Sequence, residues 1–590
     1  MTPNTLDWTI VVASIVVCFI PPLVLARRAS ASSAEFFTSG RAAPWWLIGV
    51  SMVATTFSTD TPNLVTDLVR TGGVAANWQW WAFLLTGMAT VCFYARLWRR
   101  SGVLTDLEFY ELRYSGPEAR LVRGFRAVYL GLVYNGFIMA TVNLAATKIA
   151  NVMLGWPAGK TLLVCAVLNV LFAATSGLWG VLVVDFIQFG IAMTGAIAAA
   201  WFALRQPEVG GLAGLAAKLP AETLALVPDF GDWPLALSVF VIPLTVSWWS
   251  AWYPGSEPGG GSYMAQRMLA ARSERDALAG TLFFNVAHYA LRSWPWLLVA
   301  LASIIVYPTL DSIRAAFPHV DPALVGHDMA YPAMLRFLPH GFLGVMIAGL
   351  LAAYVSTIVT HLNWGASYLV HDLWRRFVRP GASEAHYVLM GRVATVGLMV
   401  VGGLLTFLLD SAQQAFQLLL SIGAGTGLLY LLRWFWWRIN AWCEIVAMAT
   451  SLVVAVGFFL AARAGHAAPP HVPLLVTVGV TTVAWLAAAW LAPGTDRATL
   501  LAFVQRVQPA GPGWAALRAE AGVAASPDAL PQAFLAWALG CLLVYGLLFG
   551  TGAALTGHAT LAWAWGAVAL VCGGALLRLI PALWRGATDG

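Results

Sequence analysis

Charged residues are scarce in this sequence. Only 10% of its 590 residues are Asp, Glu, Lys or Arg, whereas a soluble globular domain carries about 25%. Hydrophobic residues make up 60% of the chain, and its mean hydropathy is +0.75. This composition excludes a cytosolic enzyme, a secreted disulfide scaffold and a nucleic-acid-binding protein. It predicts an integral membrane protein built from spanning helices.

Several catalytic and cofactor motifs are also missing. Lysine occurs only at positions 148, 160 and 218, and no G-x-x-x-x-G-K-[ST] motif is present, so ATP-driven transport is not expected. The motifs H-E-x-x-H and G-x-S-x-G are absent, which leaves peptidase and lipase chemistry without support. The six cysteines lie in apolar runs without metal-ligand spacing and are predicted to be small buried residues. No resident cofactor is therefore expected.

Apolar runs predict fifteen membrane-spanning helices of about 20 residues or more. They lie near residues 7–26, 45–70, 75–98, 125–153, 160–177, 180–205, 233–254, 278–308, 340–372, 388–409, 414–434, 439–463, 471–492, 531–553 and 560–584. Arginines cluster in alternate loops, for example at Arg99 and Arg100, at Arg267 and Arg272, and again at Arg375 and Arg376. The positive-inside rule makes these loops cytoplasmic. The sequence thus predicts a multi-pass protein of the cell membrane, with its N-terminus outside and its C-terminus in the cytoplasm.

Two of the predicted spans are interrupted. The second contains Ser58-Thr59-Asp60-Thr61-Pro62, and the seventh runs into Trp252-Tyr253-Pro254-Gly255-Ser256-Glu257-Pro258-Gly259-Gly260-Gly261. Proline and repeated glycine do not continue a regular helix. Because the two spans are five apart, they run in opposite directions, as in an inverted repeat with broken helices in matching places. Both breaks are therefore predicted to face a shared site, although 255–261 also fits a helix end followed by a loop.

Four ionisable residues within apolar runs are candidates for function. A carboxylate in the bilayer costs several kcal/mol, so Asp60 is predicted to have a partner or a role in the site. Asp185 raises the same question, with a position at the membrane interface as the alternative. His288 and Arg292 lie four residues apart, on one face of the eighth span. We expect them either to pair with a carboxylate such as Glu257 or to contact an anionic or polyhydroxyl solute.

A stripe of small and oxygen-bearing residues follows one face of the ninth span. Its members are spaced by three and four: Ala353, Ser356, Thr357, Thr360, Asn363 and Ser367. Such a stripe allows close packing of helices, and its hydroxyl groups can bond to their own helix. The same hydroxyl groups, facing freed carbonyl groups of a broken helix, would suit a hard cation. The spacing alone favours packing and leaves the cation site as the alternative.

Several motifs, in consistent order over roughly residues 1–440, together resemble the sodium:solute symporter family. These motifs are Phe36-Phe37-Thr38-Ser39-Gly40-Arg41 with Pro44-Trp45-Trp46, the break at Asp60, Val184-Asp185-Phe186-Ile187-Gln188-Phe189, Tyr263-Met264-Ala265-Gln266-Arg267, and Ser356-Thr357 with Asn363 and Asp372. The family includes sodium/galactose, sodium/proline, sodium/pantothenate and sodium/sialic acid transporters. The resemblance implies a five-plus-five inverted repeat of the leucine-transporter type that works by alternating access.

The resemblance also implies a division of the chain. Residues 45–438 would form the transport core, preceded by an extra helix and cytoplasmic loop at 1–44 and followed by additional helices at 439–590. In the family, a sodium ion is held by backbone carbonyls and by two hydroxyl groups. The matching positions here are Ala54, Phe57, Ala353, Ser356 and Thr357. Asp185 matches a family aspartate on the path by which sodium leaves.

The substrate positions of sugar-transporting members fall near the first break. The asparagine, glutamate and lysine of those members are replaced here by Thr56, Gln79 and His288, so sugar specificity is not predicted. A histidine that can change charge, with Arg292 one turn away, favours an anionic solute. Aromatic residues near both breaks are expected to stack on a solute ring, to shut a gate or to form an interfacial belt. They are Trp78, Trp80, Trp81, Trp248, Trp249, Trp252 and Tyr253. The candidate substrate-binding residues are Thr56, Asp60, Thr61, Gln79, Trp80, Tyr253, Glu257, His288 and Arg292.

Taken together, the sequence predicts a transporter and not an enzyme. The expected activity is sodium-coupled import of a small polar organic solute, such as a sugar, an amino acid or a carboxylate. Sodium is the coupling ion, and the expected partners are the solute, sodium and the lipid bilayer, with self-association left open. Two alternatives remain from the residues alone, namely a passive uniporter or channel of the same fold and an intramembrane enzyme.

Overall fold

A computed structural model describes residues 3–29, 39–175, 178–253, 255–409, 411–466, 468–469, 471–523 and 526–584. Pro254 of the second predicted break and the Phe36-Phe37-Thr38 motif lie outside the described residues. Within the described residues the chain is helical and contains no strand, and its only β-type pairs are two isolated bridges. This confirms the prediction of an all-helical protein.

Eighteen helices are labelled here in chain order, and further short helices lie between them. Their bounds are α1 Thr5–Ala29, α2 Trp45–Thr56, α3 Asp60–Gly72, α4 Val74–Ser101, α5 Gly116–Leu154, α6 Ala158–Thr175, α7 Leu178–Leu204, α8 Trp233–Ser250, α9 Ser262–Ala270, α10 Glu274–Val306, α11 Phe342–Val378, α12 Glu384–Thr406, α13 Ala412–Gly423, α14 Gly427–Leu432, α15 Ala441–Arg463, α16 His471–Leu491, α17 Leu530–Leu555 and α18 Ala559–Trp584.

The structure does not confirm the predicted number of fifteen spans. Among the described residues, eleven helices are long and apolar enough to cross a membrane, and three further apolar helices are shorter. The predicted second span consists of two short helices, α2 and α3, and the predicted eleventh span consists of α13 and α14. Hydropathy reads such an apolar run as one helix because it does not register where the backbone leaves helical geometry.

Both interruptions predicted from the sequence are present as helix ends. Helix α2 ends at Thr56, where Phe57 has the non-helical angles φ −89° and ψ 89°, and α3 begins at Asp60. Helix α8 ends at Ser250, and α9 begins at Ser262. The irregular backbone after α8 finds a hydrogen-bond partner on another helix, because the Trp252 N–H donates to the carbonyl of Gly423 at 3.1 Å. The C-terminal end of α13 therefore supports the second interruption.

Helices α2 and α10 pack closely where two glycines meet. A Cβ atom built at Gly280 would lie 2.6 Å from a side-chain carbon of Ile48 and 2.9 Å from the backbone oxygen of Trp45. A Cβ atom built at Gly49 would lie 2.8 Å from the carbonyl oxygen of Gly280. Small residues at such crossings let helix backbones approach in membranes. The first broken helix is thus held directly against α10, which carries His288 and Arg292.

We predict that Gly280→Ala destabilises the protein by about 1–3 kcal/mol, because the added methyl group overpacks the contact with α2. The matched control is Gly391→Ala on α12, where a Cβ atom would meet nothing within 4 Å. Thermal unfolding of the detergent-purified variants measures the difference. A midpoint for Gly280→Ala equal to that of Gly391→Ala would show that α2 and α10 are not in tight contact.

Candidate functional site

The two interruptions line one cavity of about 70 Å³ in the interior of the bundle. The first contributes Ser58, and the second contributes Ser256. The cavity is lined by Thr55, Thr56, Ser58, Asp60, Thr61, Leu64, Trp80, Phe83, Ile138, Thr141, Val142, Tyr253, Ser256, Tyr263, His288, Tyr289, Arg292, Thr357, His361 and Leu419. Irregular backbone, polar side chains and aromatic rings therefore meet around one interior cavity.

Asp60 presents an unused acceptor to this cavity. It is the first residue of α3, and its Oδ1 atom is buried without a hydrogen-bond partner. Thr61 is occupied differently, since its hydroxyl donates to the carbonyl of Thr56 at 3.5 Å. A buried polar atom without a partner costs free energy that a ligand donor would recover. The carboxylate of Asp60 is thus suited to accept a hydrogen bond from a hydroxyl or ammonium group.

His288 and Arg292 form a connected pair beside the first interruption. The Nη2 atom of Arg292 lies 3.2 Å from His288 Nε2, and its Nε donates to the His288 carbonyl at 3.2 Å. An arginine nitrogen only donates, so Nε2 of His288 accepts, and its Nδ1 carries the proton that faces the hydroxyl of Thr56 at 3.1 Å. These partners assign a neutral imidazole. Arg292 Nη1 also donates to the carbonyl of Val53 at 3.3 Å, which ties the pair to the end of α2.

Aromatic rings form much of the remaining wall. Trp80 stacks on Tyr289 with a centroid distance of 5.8 Å, and its ring lies edge-on to His288 at 5.8 Å. Phe83 stacks on Tyr253 at 5.7 Å. The other tryptophans that crowd the two interruptions do not line the cavity: Trp78, Trp81, Trp248, Trp249 and Trp252. Only a subset of the aromatic residues noted in the sequence can therefore touch a solute in this cavity.

The hydroxyl stripe of α11 faces the end of α2. Thr357 donates to the carbonyl of Thr55 at 2.9 Å, and Ser356 donates to Asp185 Oδ1 at 2.6 Å. The carboxylate of Asp185 also accepts from the hydroxyl of Ser51 on α2 at 2.5 Å. The other predicted ligands are carbonyl groups: those of Ala54 and Phe57 belong to the last turn of α2 and the residue that caps it, and that of Ala353 belongs to α11. Oxygen atoms from α2, α7 and α11 are thus gathered beside the first interruption.

Arg267 lies in the same cluster, and the sequence analysis missed this position. Its guanidinium group donates to Ser51, Thr55 and Thr360 at 3.2, 3.3 and 3.1 Å. It also lies 3.8 Å from the Oδ2 atom of Asp185, and both side chains are fully buried. The positive-inside count treated Arg267 as a loop arginine. The available signal was its place in a motif directly after the second interruption, on α9, which turns inward.

Two candidate residues lie outside the cavity lining. Gln79 is next to Trp80 in the chain but does not line the cavity. Glu257 accepts a hydrogen bond from the hydroxyl of Ser262 instead of facing the solute cavity. The expected pair between Glu257 and Arg292 is absent among the described residues, where Arg292 is held by His288 and Val53.

Comparison with known proteins places this geometry in context. A model of the sodium:solute symporter family matches residues 36–451 of the chain. The sodium/glucose cotransporter of Vibrio parahaemolyticus is 24% identical over 452 residues, which cover 72% of this chain and 79% of that protein. A sodium/mannose cotransporter of Bos taurus is 25% identical over 487 residues, covering 75% of this chain and 76% of that protein.

A solved structure shares the fold. The outward-open, substrate-bound structure of a Na+-coupled sialic acid symporter aligns with a TM-score of 0.62 and 17% sequence identity. The alignment covers 84% of this chain and 99% of that symporter. The helices of this chain are therefore arranged as in that transporter.

Proposed function

Because the chain belongs to the sodium:solute symporter family, we propose that it imports a small polar organic solute by sodium-coupled symport. The observation that carries this proposal is a single cavity lined by both helix interruptions and by Thr357 of the hydroxyl stripe. Unwound backbone at the middle of a transporter is where solute and coupling ion bind in inverted-repeat transporters. Residues 45–438 form the transport core in this proposal, as a five-plus-five inverted repeat of the leucine-transporter type.

The proposed sodium site lies between α2 and α11. Its ligands are the carbonyl oxygens of Ala54, Phe57 and Ala353 and the hydroxyl oxygens of Ser356 and Thr357. An all-oxygen ligand set suits a hard cation that must bind and leave within one transport cycle. The direct contact between Ser356 and Asp185 supports a role for Asp185 in drawing sodium from the site.

The proposed solute site is the neighbouring cavity. Asp60 accepts a donor of the solute, and Thr56, Thr61, His288 and Arg292 surround the same space. The rings of Trp80 and Tyr253 supply apolar contact. Since α2 ends at Thr56, one face of its last turn borders the ion and the other borders the solute. Binding of either ligand therefore biases the same helix end, which is the physical basis of coupling.

Voltage makes this coupling effective. Moving one sodium ion inward through 100 mV releases about 2.3 kcal/mol, and each 1.4 kcal/mol corresponds to about a tenfold concentration ratio. One ion can therefore sustain a solute gradient of roughly fiftyfold from voltage alone. The orientation that fits the arginine distribution places the N-terminus outside and the C-terminus inside. In this proposal, the helices from residue 439 onward surround the core and contact lipid.

We predict that the true solute stabilises the purified protein more in sodium than in choline chloride. At a free solute concentration of about 100 times its dissociation constant, the gain is about 2.7 kcal/mol. A thermal-shift screen of sugars, amino acids and carboxylates, run in parallel in the two salts, measures it. Since sodium is expected to complete the solute site, the same compound in choline should give a clearly smaller shift.

Uptake into proteoliposomes distinguishes the remaining mechanisms. A symporter accumulates the identified solute above its external concentration only with an inward sodium gradient. A passive uniporter or channel would equilibrate the solute, and its flux would be unchanged when choline replaces sodium. An intramembrane enzyme would yield a new chemical product without sodium-dependent uptake. Either of these last two results would overturn the proposed symport.

A further inference from the structure

Glu257 is a buried carboxyl group that neither the solute cavity nor the proposed sodium site uses. It lies in the irregular segment between α8 and α9, and only 2% of its surface is exposed. Its Oε1 atom accepts a hydrogen bond from the hydroxyl of Ser262, whereas its Oε2 atom is buried and has no hydrogen-bond partner. Half of this carboxyl group is therefore unused inside the protein.

A second carboxyl group lies on the other side of Ser262. Asp106 follows α4 and is 9% exposed. Its Oδ2 atom accepts from the backbone N–H of Ser262 at 2.9 Å, and its Oδ1 atom accepts from the hydroxyl of Tyr368. Ser262 thus bridges the two acids, and it does so with φ +46°, in the left-handed region that a serine rarely adopts. Residues held in such a conformation are enriched at ligand clamps and switches.

The two acids differ in their surroundings. Asp106 has both oxygens hydrogen-bonded and lies within electrostatic range of Arg126 and Arg433. Around Glu257, the ionisable neighbours from the packed elements are Asp106 and the tyrosines Tyr134 of α5 and Tyr263 of α9. Within the described part of the chain, Glu257 makes no ion pair with a basic side chain.

An ionised Glu257 would therefore be costly. A buried carboxylate without a cation pays a large desolvation penalty, and a second negative charge nearby adds repulsion. The usual response is to bind a proton, and a protonated carboxyl group also gives Oε2 a hydrogen to donate. Of the two acids, Asp106 is the one whose hydrogen bonds and neighbouring arginines favour a negative charge.

We propose that Glu257, with Ser262 and Asp106, forms a proton-binding site in the interruption between α8 and α9. In this conformation an O–H bond at Oε2 holds a proton taken from water. When the interruption opens to solution, that bond breaks, the proton returns to water and the carboxylate keeps the electron pair. The link to opening rests on the proposed transport cycle, whereas proton binding itself does not require sodium coupling.

The test compares the full-length wild-type protein with Glu257→Gln, which mimics the neutral acid. Because folded Glu257 holds its proton more tightly than an unfolded glutamate, whose pKa is about 4.3, this group stabilises the fold less as pH rises above that value. The substitution removes that dependence. We expect the midpoint of the variant relative to wild type to rise between pH 5.5 and pH 8.5, by about 2–4 °C. Tryptophan fluorescence reports both midpoints.

The matched control is Glu222→Gln, which changes an exposed acid in the short helix Ala221–Leu224, and its midpoints should follow wild type at both pH values. If the wild-type and Glu257→Gln midpoints differ by the same amount at every pH, Glu257 does not take up a proton on folding. Should Glu257→Gln fail to fold, Asp106→Asn provides the second test. Removing the neighbouring charge should make the fall in midpoint between pH 5.5 and 8.5 smaller than in wild type, and an equal or larger fall would overturn the proposal.

Thermal unfolding in sodium chloride and in choline chloride is compared at pH 8.5 to decide whether Glu257 binds a proton or sodium. An equal stabilisation by sodium in wild type and Glu257→Gln supports a proton at Glu257 and sodium elsewhere. Loss of the sodium effect in Glu257→Gln would assign sodium to this acid and overturn the proton site. No sodium effect in either protein would count against sodium coupling, while the pH comparison would still decide the role of Glu257.

Discussion

Replacing Asp60 with asparagine is expected to raise the solute concentration needed for half-maximal uptake by about thirtyfold. The Oδ1 atom of Asp60 is buried at the solute cavity without a protein partner, so we expect the solute to supply its hydrogen bond. A hydrogen bond to a charged group contributes about 1.5–3 kcal/mol, and about 2 kcal/mol corresponds to roughly thirtyfold in affinity. Initial uptake rates in proteoliposomes, measured across solute concentrations at saturating sodium, give the value.

Asp311→Asn is the matched control for this variant, because it makes the same chemical change at an exposed residue and should leave uptake unchanged. Stabilisation of Asp60→Asn by sodium alone should persist, since the proposed ion ligands are on other residues. This second measurement separates a binding defect from misfolding. Wild-type solute dependence in Asp60→Asn would remove Asp60 from the solute site.

The helix interruptions could be predicted from sequence because proline, glycine and charge are unusual within apolar runs. Asp60 marks the start of α3, and the glycine-rich segment ends where α9 begins at Ser262. The number of spans could not be predicted in the same way. The interruption between α13 and α14 occurs at Ala424 to Thr426, within Gly423-Ala424-Gly425-Thr426-Gly427, which contains neither a proline nor a charged residue.

Side-chain partners were less predictable than helix ends. The spacing of Ser356 and Thr357 indicated a common face, but only the fold brings that face to Thr55 and Asp185. Arg267 appeared to be a cytoplasmic arginine, yet α9 carries it into the protein interior. Glu257 lies within the second interruption and was predicted to belong to the solute site. The direction of the Glu257 side chain depends on the turns at the surrounding glycines, which place its carboxyl group beside Ser262.

Removing both hydroxyl groups of the ion site, in Ser356→Ala with Thr357→Ala, is expected to raise the sodium concentration for half-maximal uptake at least about tenfold. In the proposed site, these oxygens are two of five ligands, and the other three ligands are backbone carbonyl oxygens. A loss of about 1.4 kcal/mol in sodium binding corresponds to this tenfold change. Because Thr357 also donates to Thr55, the variant loosens the contact between α11 and α2. The uptake rate at a fixed solute concentration, measured across sodium concentrations with choline as the balancing cation, gives the change.

Ser367→Ala is the matched control for this double variant. Ser367 belongs to the same stripe on α11 and is also buried, but its hydroxyl donates to the carbonyl of Trp364 within its own helix. Its loss should therefore leave the sodium dependence unchanged. The distinction matters because both explanations of the stripe, helix packing and ion binding, predict some loss of stability in the double variant. Only ion binding predicts that the folded protein needs more sodium for half-maximal uptake. An unshifted sodium curve for uptake would therefore assign Ser356 and Thr357 to helix packing and require another sodium site.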